Sequence, residues 1–365
     1  MESVISDELS NYLLSNNLIS DNQHGFLKNR STLTNLLSST RHWFSSLNSR
    51  KSTDIIFIDF AKAFDSISHP KLLHKLKSYG ITGKLFNWIS AWLSNRSQTV
   101  LIDGILSIPL AVLRGILQGS VLGLILFILF LNDIVDGIPT ESHPTLFADD
   151  LKIFSDEPTI PSQNYPGNSY SPLLQHSLDL ILAWTVDWQL NISFSKCSIL
   201  SISYSKHPLG RSYTLNSIVL PQVTSCSDLG TIVDDKLSFS SHIASITKKA
   251  YCKSKLISRC FVSKNCNLLK RSFTSYVRPL LEYATPIWSP YLLNLITLVE
   301  NVQRRFTKSI PNLRAMSYNR RLSFLGLDTL FLRRRQTNLF LLATKFYIPS
   351  ILYNQIFFLT HRLYY

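Results

Sequence analysis

One short segment constrains the fold more than any other part of this sequence: the run Asp-Ile-Ile-Phe-Ile-Asp-Phe at residues 54–60. Its apolar residues are contiguous rather than alternating, which is typical of a strand buried on both faces of a sheet. Asp59 interrupts that run, and an isolated carboxylate in such a place costs several kcal/mol unless it is paired or coordinated. The segment therefore predicts a buried strand that carries a carboxylate in need of a cation.

A second acidic feature lies in residues 145–154, where two short apolar strands are predicted on either side of Asp149 and Asp150. Asp-Gly or Asn-Gly would form a better hairpin turn, because the second turn position favours a positive φ. Neighbouring carboxylates repel each other, and a divalent cation removes that cost. Taken alone, the pair is equally compatible with a solvated turn. If Asp59 lies beside it, the three carboxylates form an oxygen site that suits Mg²⁺ and phosphoryl transfer.

The wider pattern predicts an α+β protein. Helices are expected over much of 1–50, from Pro70 to the stop at Gly80, and over the apolar run 120–131, whereas strands gather in the middle third. From about residue 240 onward the chain has a mainly helical pattern. Strands in one region followed by helices in the next favour an α+β core joined to a helical module.

The charge is distributed unevenly along the 365 residues. Residues 1–240 carry 17 basic and 20 acidic side chains, whereas residues 241–365 carry 20 basic and only 3 acidic ones. The formal net charge of +14 is therefore concentrated in the last third of the chain. Such an asymmetry favours a polyanionic partner, either nucleic acid or an anionic membrane surface.

Other features exclude several classes of protein. The five cysteines show no CxxC spacing and no histidine at zinc-finger distance, which argues against a disulfide scaffold or a structural zinc site. The longest apolar run, 121–131, is shorter than the ~20 residues that a membrane helix needs. No signal-peptide pattern follows Met1. We therefore expect an intracellular protein, in the nucleus or the cytoplasm, with no membrane partner.

Three segments resemble the palm motifs of reverse transcriptases from non-LTR (LINE-like, jockey-type) retrotransposons. They are FIDFAKAFD at 57–65, RGILQGSVLG at 114–123 and FADD at 147–150. Further matching blocks follow the family order, and these are QHGF with RST within 23–32, WQLN with KC within 188–197, and segments at 229–239 and 276–288. The resemblance covers roughly residues 5–310. An isolated Asp-Asp pair is a weak signal, whereas several blocks in the family's order are a specific one.

The resemblance implies a right-hand polymerase fold, in which an antiparallel palm sheet packs on helices. Residues 1–53 are then expected to be a remnant of the fingers of an N-terminally truncated chain. Residues 54–235 would form the palm, with a second fingers segment at about 80–113. Residues 236–365 would form a basic, helical, thumb-like module with a C-terminal extension. The implied activity is RNA-directed DNA polymerisation, with an RNA template, a DNA primer and dNTPs as partners.

The resemblance also assigns the catalytic residues. Asp59, Asp149 and Asp150 are expected to bind two Mg²⁺ ions, or Mn²⁺ in their place, and to catalyse nucleotidyl transfer onto the primer 3′-hydroxyl. Phe64 lies five residues after Asp59. It would be the steric gate that leaves no room for a 2′-hydroxyl, although an ordinary core phenylalanine would give the same pattern.

Gln118, Gly119 and Lys196 are the other expected nucleotide-binding residues. Glycine lets the backbone approach a ligand closely, and a glutamine amide offers hydrogen bonds to backbone or base. Lys196 would neutralise or protonate the leaving phosphate, or would simply be a solvated lysine. Basic side chains in the last third are expected to contact the phosphates of the template–primer duplex. They are Lys248, Lys249, Lys253, Lys255, Lys270, Arg271, Arg278, Arg304 and Arg305.

Two departures from the family pattern keep an alternative open. Leu117 and Leu124 stand where the family usually has proline, so the loop that positions the nucleotide loses a fixed φ. The alternative hypothesis is a catalytically impaired remnant that only binds nucleic acid. A two-metal nuclease or phosphatase would be expected to add a histidine or a further glutamate. An RNA-dependent RNA polymerase would be expected to have a small residue, or a polar partner for the sugar, instead of Phe64.

Overall fold

The structure is a computed structural model that describes residues 1–157, 171–204, 211–263 and 265–346. The chain divides into two compact units. Unit 1 comprises residues 1–35 and 45–224, and unit 2 comprises residues 36–44 together with the chain from residue 225 onward. Residues 225–235, expected from the sequence to end the palm, thus group with unit 2.

Unit 1 combines helices with one principal sheet. The helices within the described residues are α1 (Glu2–Ser15), α2 (Thr32–Asn48, of which residues 36–44 group with unit 2), α3 (Ala63–Ser66), α4 (His69–Ser78), α5 (Gly83–Leu93), α6 (Val121–Leu131) and α7 (Pro172–Trp188). The strands are β1 (Ser52–Ile58), β2 (Ser97–Gln98), β3 (Leu101–Ile102), β4 (Ile105–Leu106), β5 (Leu110–Ala111), β6 (His143–Phe147), β7 (Asp150–Glu157), β8 (Ser198–Ile202), β9 (Thr214–Leu215), β10 (Ile218–Val219) and β11 (Gln222–Val223).

The principal sheet has the strand order β11-β8-β1-β7-β6. Strand β1 is central and pairs antiparallel with both β7 and β8, so the predicted buried strand is confirmed. It ends at Ile58, however, and Asp59 lies just beyond it rather than inside it. The chain changes pairing partner at this point, because Phe60 forms a bridge with Ile192. The mixture of helices with an antiparallel sheet confirms the predicted α+β class.

The core of unit 1 combines side chains of helices α1, α4 and α6 with those of one face of the sheet. Nearly every side chain of α6 is buried, which explains why this helix is apolar on all sides rather than along one stripe. From the sheet, Ile56, Ile58, Leu151 and Ile153 join the same core. Each such side chain contributes about 1.5–3 kcal/mol when it is removed from water. Along the described ranges, no helix combines the length and apolarity needed to cross a membrane.

A long, exposed hairpin precedes α6. Its outer part is the β3–β4 pair, which turns at Asp103-Gly104 with φ values of 49° and 83°. Two consecutive positive φ values are what a tight two-residue hairpin requires, and Asp-Gly adopts them readily. The ribbon exposes large apolar side chains on both faces, at 60% or more of their area. These are Val100, Leu101, Ile102, Ile105, Leu106, Ile108 and Leu110.

Unit 2 is mainly helical, as predicted for the last third of the chain. It contains the hairpin β12 (Ser225–Asp228) and β13 (Thr231–Asp234), and helices α8 (Ser240–Cys260), α9 (Cys266–Ser272), α10 (Arg278–Glu282), α11 (Thr285–Trp288), α12 (Leu293–Ser309), α13 (Tyr318–Leu325) and α14 (Leu330–Phe346). A π-helical turn, Phe273–Val277, connects α9 to α10. Helix α8 packs against α12, α10 and β13.

A buried histidine links α8 to this hairpin. His242 is 2% exposed, and its Nδ1 accepts a hydrogen bond from the backbone N–H of Ile232 at 3.2 Å. Its ring meets Trp288 edge to face, with 5.4 Å between the centroids. Burial, together with the charge of Lys249, lowers the pKa of His242 to about 4. The neutral imidazole is therefore the form that the folded state accepts.

The first prediction concerns acid stability. In the unfolded chain the pKa of His242 is 6.5, whereas in the folded chain it is about 4. The free energy of unfolding therefore falls as the pH drops from 6.5 to about 4, because only the unfolded chain binds the proton in this range. The loss should approach about 3 kcal/mol. Urea unfolding measured between pH 7.5 and 4.5 should show a flatter pH dependence for His242→Gln. The exposed His74→Gln serves as the control, and an unchanged slope in His242→Gln would contradict the prediction.

Candidate active site

Asp59 is held at the end of the central strand by main-chain hydrogen bonds to a neighbouring segment. Its carbonyl accepts from the N–H of Ser193 at 2.8 Å, and the N–H of Ala61 donates to the carbonyl of Asn191 at 2.8 Å. The side chain is about one-third exposed, and its Oδ2 lies 3.1 Å from Nζ of Lys196. From the family resemblance, Lys196 was expected to contact the leaving phosphate. In the structure the ammonium of Lys196 faces Asp59, the first of the predicted catalytic acids.

Asp149 lies in the two-residue turn of the β6–β7 hairpin. Phe147 and Asp150 form the last pair of the ladder, so the turn consists of Ala148 and Asp149. The sequence pattern predicted this turn at 149–150, one residue further along the chain. The positive φ falls on Ala148, at 56°, and Asp150 is the first residue of β7. A non-glycine residue at positive φ needs support from its surroundings.

The structure brings Asp59 and Asp149 close enough to interact electrostatically. Burial raises the pKa of Asp149, and the negative charge of Asp59 raises it further. The backbone N–H of Asp149 itself and the charge of Lys196 oppose this rise. Two carboxylates and one ammonium therefore share this end of the sheet. Like charges at close range favour a cation between them.

Asp150 occupies a different position in this arrangement. Since Ile58 pairs with Leu151, continuing the register by one residue sets Asp59 opposite Asp150. The side chain of Asp150 is exposed, whereas those of Asp59 and Asp149 are partly buried. Across the described residues, no group of three or more His, Cys, Asp and Glu side chains is arranged to hold a metal ion. The predicted three-carboxylate set is thus not assembled by the protein alone.

The donor set nonetheless fits a magnesium site completed by substrate. Mg²⁺ in proteins is usually bound by one or two carboxylates together with waters and substrate phosphates. Asp59 and Asp149 supply two such carboxylates. The Oδ2 atom of Asp59 is buried, and the cation that it already faces is the ammonium of Lys196. Lys196 supplies the nearest positive charge at 3.1 Å.

Phe64 lies on the short helix α3, close in sequence to Asp59. Its ring is partly buried and stacks on Phe127 of α6, with 3.8 Å between centroids and 6° between planes. The stacking fixes the ring orientation. A partly buried ring of fixed orientation is compatible with the predicted steric gate, and it also packs against the core as an ordinary phenylalanine would.

The loop that contains Gln118 and Gly119 lies against the segment that follows Phe64. The N–H of Ile116 donates to the Phe64 carbonyl at 2.8 Å, and Nε2 of Gln118 donates to Oδ1 of Asp65 at 3.2 Å. Gly119 has a φ of 86°, and a Cβ there would meet no atom within 4 Å. The two predicted nucleotide-binding residues are therefore exposed beside α3, with open space at the glycine.

Sequence reasoning missed a residue that secures this loop, Glu2 of α1. Its carboxylate accepts hydrogen bonds from Nε1 of Trp92 and Oγ of Ser120, each at 2.9 Å, and these bonds lower its pKa. Ser120 in turn caps α6 by accepting from the N–H of Gly123 at 2.9 Å. Because Glu2 and Ser120 lie more than a hundred residues apart in the chain, a local sequence pattern cannot predict this contact.

The predicted duplex-binding residues lie in unit 2 and are mostly exposed. Lys248, Lys249, Lys253 and Lys255 lie on the solvent side of α8, and Arg271, Arg304 and Arg305 are exposed as well. Lys270 is partly buried. Arg278 is also partly buried, and its Nε lies 3.6 Å from Glu282, which also binds Arg333. Arg278 is therefore held by a structural ion pair, unlike the exposed residues.

The two loop glycines yield a matched prediction. Gly115 and Gly119 have nearly equal φ values of 89° and 86°, so an alanine at either position should be strained by about 1–2 kcal/mol. A Cβ at Gly115 would also lie 2.8 Å from the carbonyl oxygen of Asp65. We expect Gly115→Ala to lower the free energy of unfolding by about 1–3 kcal/mol more than Gly119→Ala. Equal losses in urea unfolding would contradict the predicted contact with Asp65.

Comparisons with known proteins found relatives that are named as RNA-directed DNA polymerases. The chain is 24% identical over 322 residues to the probable RNA-directed DNA polymerase from transposon BS of Drosophila melanogaster, covering 85% of this chain and 34% of that protein. It is 27% identical over 227 residues to the RNA-directed DNA polymerase from mobile element jockey of Drosophila funebris, covering 61% and 24%. The chain thus spans about a third or less of these relatives. A solved telomerase from Candida tropicalis, in complex with a TWJ fragment of telomeric RNA, matches with a TM-score of 0.48 and 9% identity, covering 85% of this chain and 46% of that chain.

The family itself is identified by a sequence profile. The profile described as reverse transcriptase (RNA-dependent DNA polymerase) matches residues 1–233. This span contains the principal sheet, the turn that carries Asp149, the end of β1 that carries Asp59, and the glycine loop before α6. Because the match extends over more than half of the sequence, the chain belongs to the reverse transcriptase family.

Proposed function

We propose that this chain catalyses RNA-templated DNA synthesis by adding deoxynucleotides to the 3′-hydroxyl of a DNA primer. The observation that carries the proposal is the strand register, which sets Asp59 at the end of β1 beside the turn that contains Asp149, with Lys196 3.1 Å from Asp59. The curated relatives are named as RNA-directed DNA polymerases, which supports an RNA template and dNTP substrates. The chain spans 34% and 24% of the length of these two relatives, so their activity is only proposed for it.

Asp59 and Asp149 are the residues that would hold divalent metal, and Asp150 would contribute from the start of β7. When bound, two Mg²⁺ ions, or Mn²⁺, would activate the primer hydroxyl and stabilise the charge of the leaving pyrophosphate. Main-chain pairing at residues 59–61 and the two-residue turn hold both partly buried acids before substrate arrives. Such preorganisation avoids moving charged groups during the reaction.

The remaining predicted nucleotide ligands would act around this pair. Lys196 would exchange its contact with Asp59 for the charge that develops on the leaving phosphate. Gly119 would let the loop backbone approach the nucleotide, and Gln118 would offer its amide. The ring of Phe64, fixed by its stacking on Phe127, would lie under the sugar and exclude a 2′-hydroxyl.

The exposed basic residues of unit 2 would bind the template–primer duplex through its phosphates. Contacts of this kind carry no sequence information, as a polymerase that accepts any template requires. The four lysines on the solvent side of α8 support this role most directly. Arg278 would contribute least, because Glu282 already holds it.

The decisive experiment compares primer extension with duplex binding. The full chain would receive oligo(dT)-primed RNA, dNTPs and Mg²⁺, and Asp149→Asn should reduce extension at least about 100-fold, because a metal supplies several kcal/mol of charge stabilisation. Duplex binding should be retained. Asp103→Asn makes the same chemical change in an exposed turn that tolerates asparagine, and it serves as the control. Salt-sensitive binding without extension by the unaltered chain would favour the impaired remnant.

The proposed role of Phe64 leads to a prediction about sugar selection. Replacing Phe64 by valine should increase ribonucleotide incorporation relative to deoxynucleotide incorporation by about 10- to 100-fold, because the smaller side chain leaves room for a hydroxyl. Phe64→Tyr keeps the ring and its stacking on Phe127, so it should preserve the selectivity. The ratio is measured as kcat/KM for each nucleotide. If Phe64→Val leaves the ratio of the two kcat/KM values unchanged, Phe64 is an ordinary core residue and not a steric gate.

A further inference from the structure

The segment QHGF at 23–26 lies against the edge of the sheet beside the catalytic turn. The N–H of Leu146 donates to the carbonyl of Asn22 at 2.9 Å, and the N–H of His24 donates to the carbonyl of Leu146 at 2.8 Å. Strand β6 is the last strand of the sheet, so these bonds satisfy an edge that would otherwise be open. The segment therefore reaches Ala148, two residues further along.

The side-chain amide of Gln23 completes the hydrogen bonding of the turn. Its Oε1 accepts from the N–H of Ala148 at 3.0 Å and from the N–H of Gly25 at 2.7 Å, and its Nε2 donates to the carbonyl of Ala148 at 3.3 Å. Gln23 is fully buried. One amide thus satisfies both main-chain groups of the residue that has the unfavourable positive φ.

Two neighbouring residues keep Gln23 in this position. A Cβ at Gly25 would lie 2.3 Å from the backbone nitrogen of Ala148, so only glycine permits this approach. The guanidinium of Arg30 donates to the carbonyls of Ser20, Asp21 and Gln23 at 3.0, 3.0 and 2.6 Å. The loop that presents Gln23 is therefore itself fixed, and the amide cannot follow the turn if the turn moves.

We infer that Gln23 is a positioning residue for Asp149. It holds Ala148 in the left-handed conformation that directs the next residue toward Asp59, and this inference rests on the proposed function of Asp149 as a metal ligand. Sequence resemblance related the QHGF segment to the fingers of the polymerase. Its hydrogen bonds relate it to the turn of the catalytic hairpin, with Gly25 as the steric requirement and Gln23 as the polar one.

The test uses the full chain with two substitutions and a neighbouring control. Gln23→Met keeps the length of the side chain and removes all three amide hydrogen bonds. Gln23→Glu keeps an oxygen acceptor for the two N–H groups and loses the donor to Ala148. Asn22→Ala is the control, because the main-chain carbonyl of Asn22 makes the contact with Leu146. The readouts are amide hydrogen exchange at Ala148 and Asp149, Mn²⁺ affinity by electron paramagnetic resonance, and primer extension.

For Gln23→Met we expect exchange at Ala148 to be at least tenfold faster, Mn²⁺ binding at least tenfold weaker, and kcat lower with the dissociation constant for duplex unchanged. Gln23→Glu should show the same changes to a smaller extent, and it carries the test if Gln23→Met does not fold. Asn22→Ala should match the unaltered chain. A folded Gln23→Met with normal Mn²⁺ affinity and normal exchange at Ala148 would overturn the inference.

The same readouts separate this inference from the proposed function. If the unaltered chain binds Mn²⁺ but does not extend primers, the proposed activity fails, while exchange and Mn²⁺ affinity still decide the role of Gln23. If the unaltered chain does not bind Mn²⁺, both the metal role of Asp149 and the inference are overturned. A purely structural glutamine would lower stability without changing kcat per folded molecule.

Discussion

The candidate site depends on one constraint, which is that two partly buried carboxylates, Asp59 and Asp149, lie at the same end of the sheet. Burial raises the pKa of Asp149, and the negative charge of Asp59 raises it further. Folding alone gains nothing from this arrangement, since Lys196 is mostly exposed and such an ion pair is weak. Main-chain pairing at residues 59–61 holds the end of β1, and the β6–β7 ladder holds the turn. Stability alone therefore does not explain why acids occupy both places.

Support for this arrangement comes from elements that are distant in sequence. Glu2 on α1 ties Trp92 to the cap of α6, and residues 20–30 close around the turn at Ala148. These hydrogen bonds hold the turn and the loop in conformations that their own residues do not favour. Ala148 has a positive φ of 56° without being glycine. Long-range hydrogen bonds thus compensate for local conformations that are poorly encoded.

Much of the fold could be predicted from periodicity, because β1 and α6 are apolar on all sides and such segments have few alternatives to burial. The sequence made the approach of Asp59 to the Asp-Asp hairpin conditional on the two strands being neighbours, and the pairing of β1 with β7 meets that condition. The exact position of the hairpin turn could not be predicted from the sequence. The turn lies at 148–149 instead of 149–150, because the cross-strand register fixes its position and turn propensity does not. The roles of Glu2 and Gln23 depend on contacts across the fold, and the ion pair of Arg278 with Glu282 is not distinguishable from a solvated basic face by composition.

The ribbon that precedes α6 has a practical consequence for handling the protein. Its leucine and isoleucine side chains face water on both sides, and its single charge, Asp103, is at the tip. Free main-chain edges flanked by such residues can pair with copies of themselves, and apolar area of this kind drives assembly at high concentration. Dilute solutions, or a mild detergent below its micellar threshold, are therefore the conditions under which single molecules should be observed.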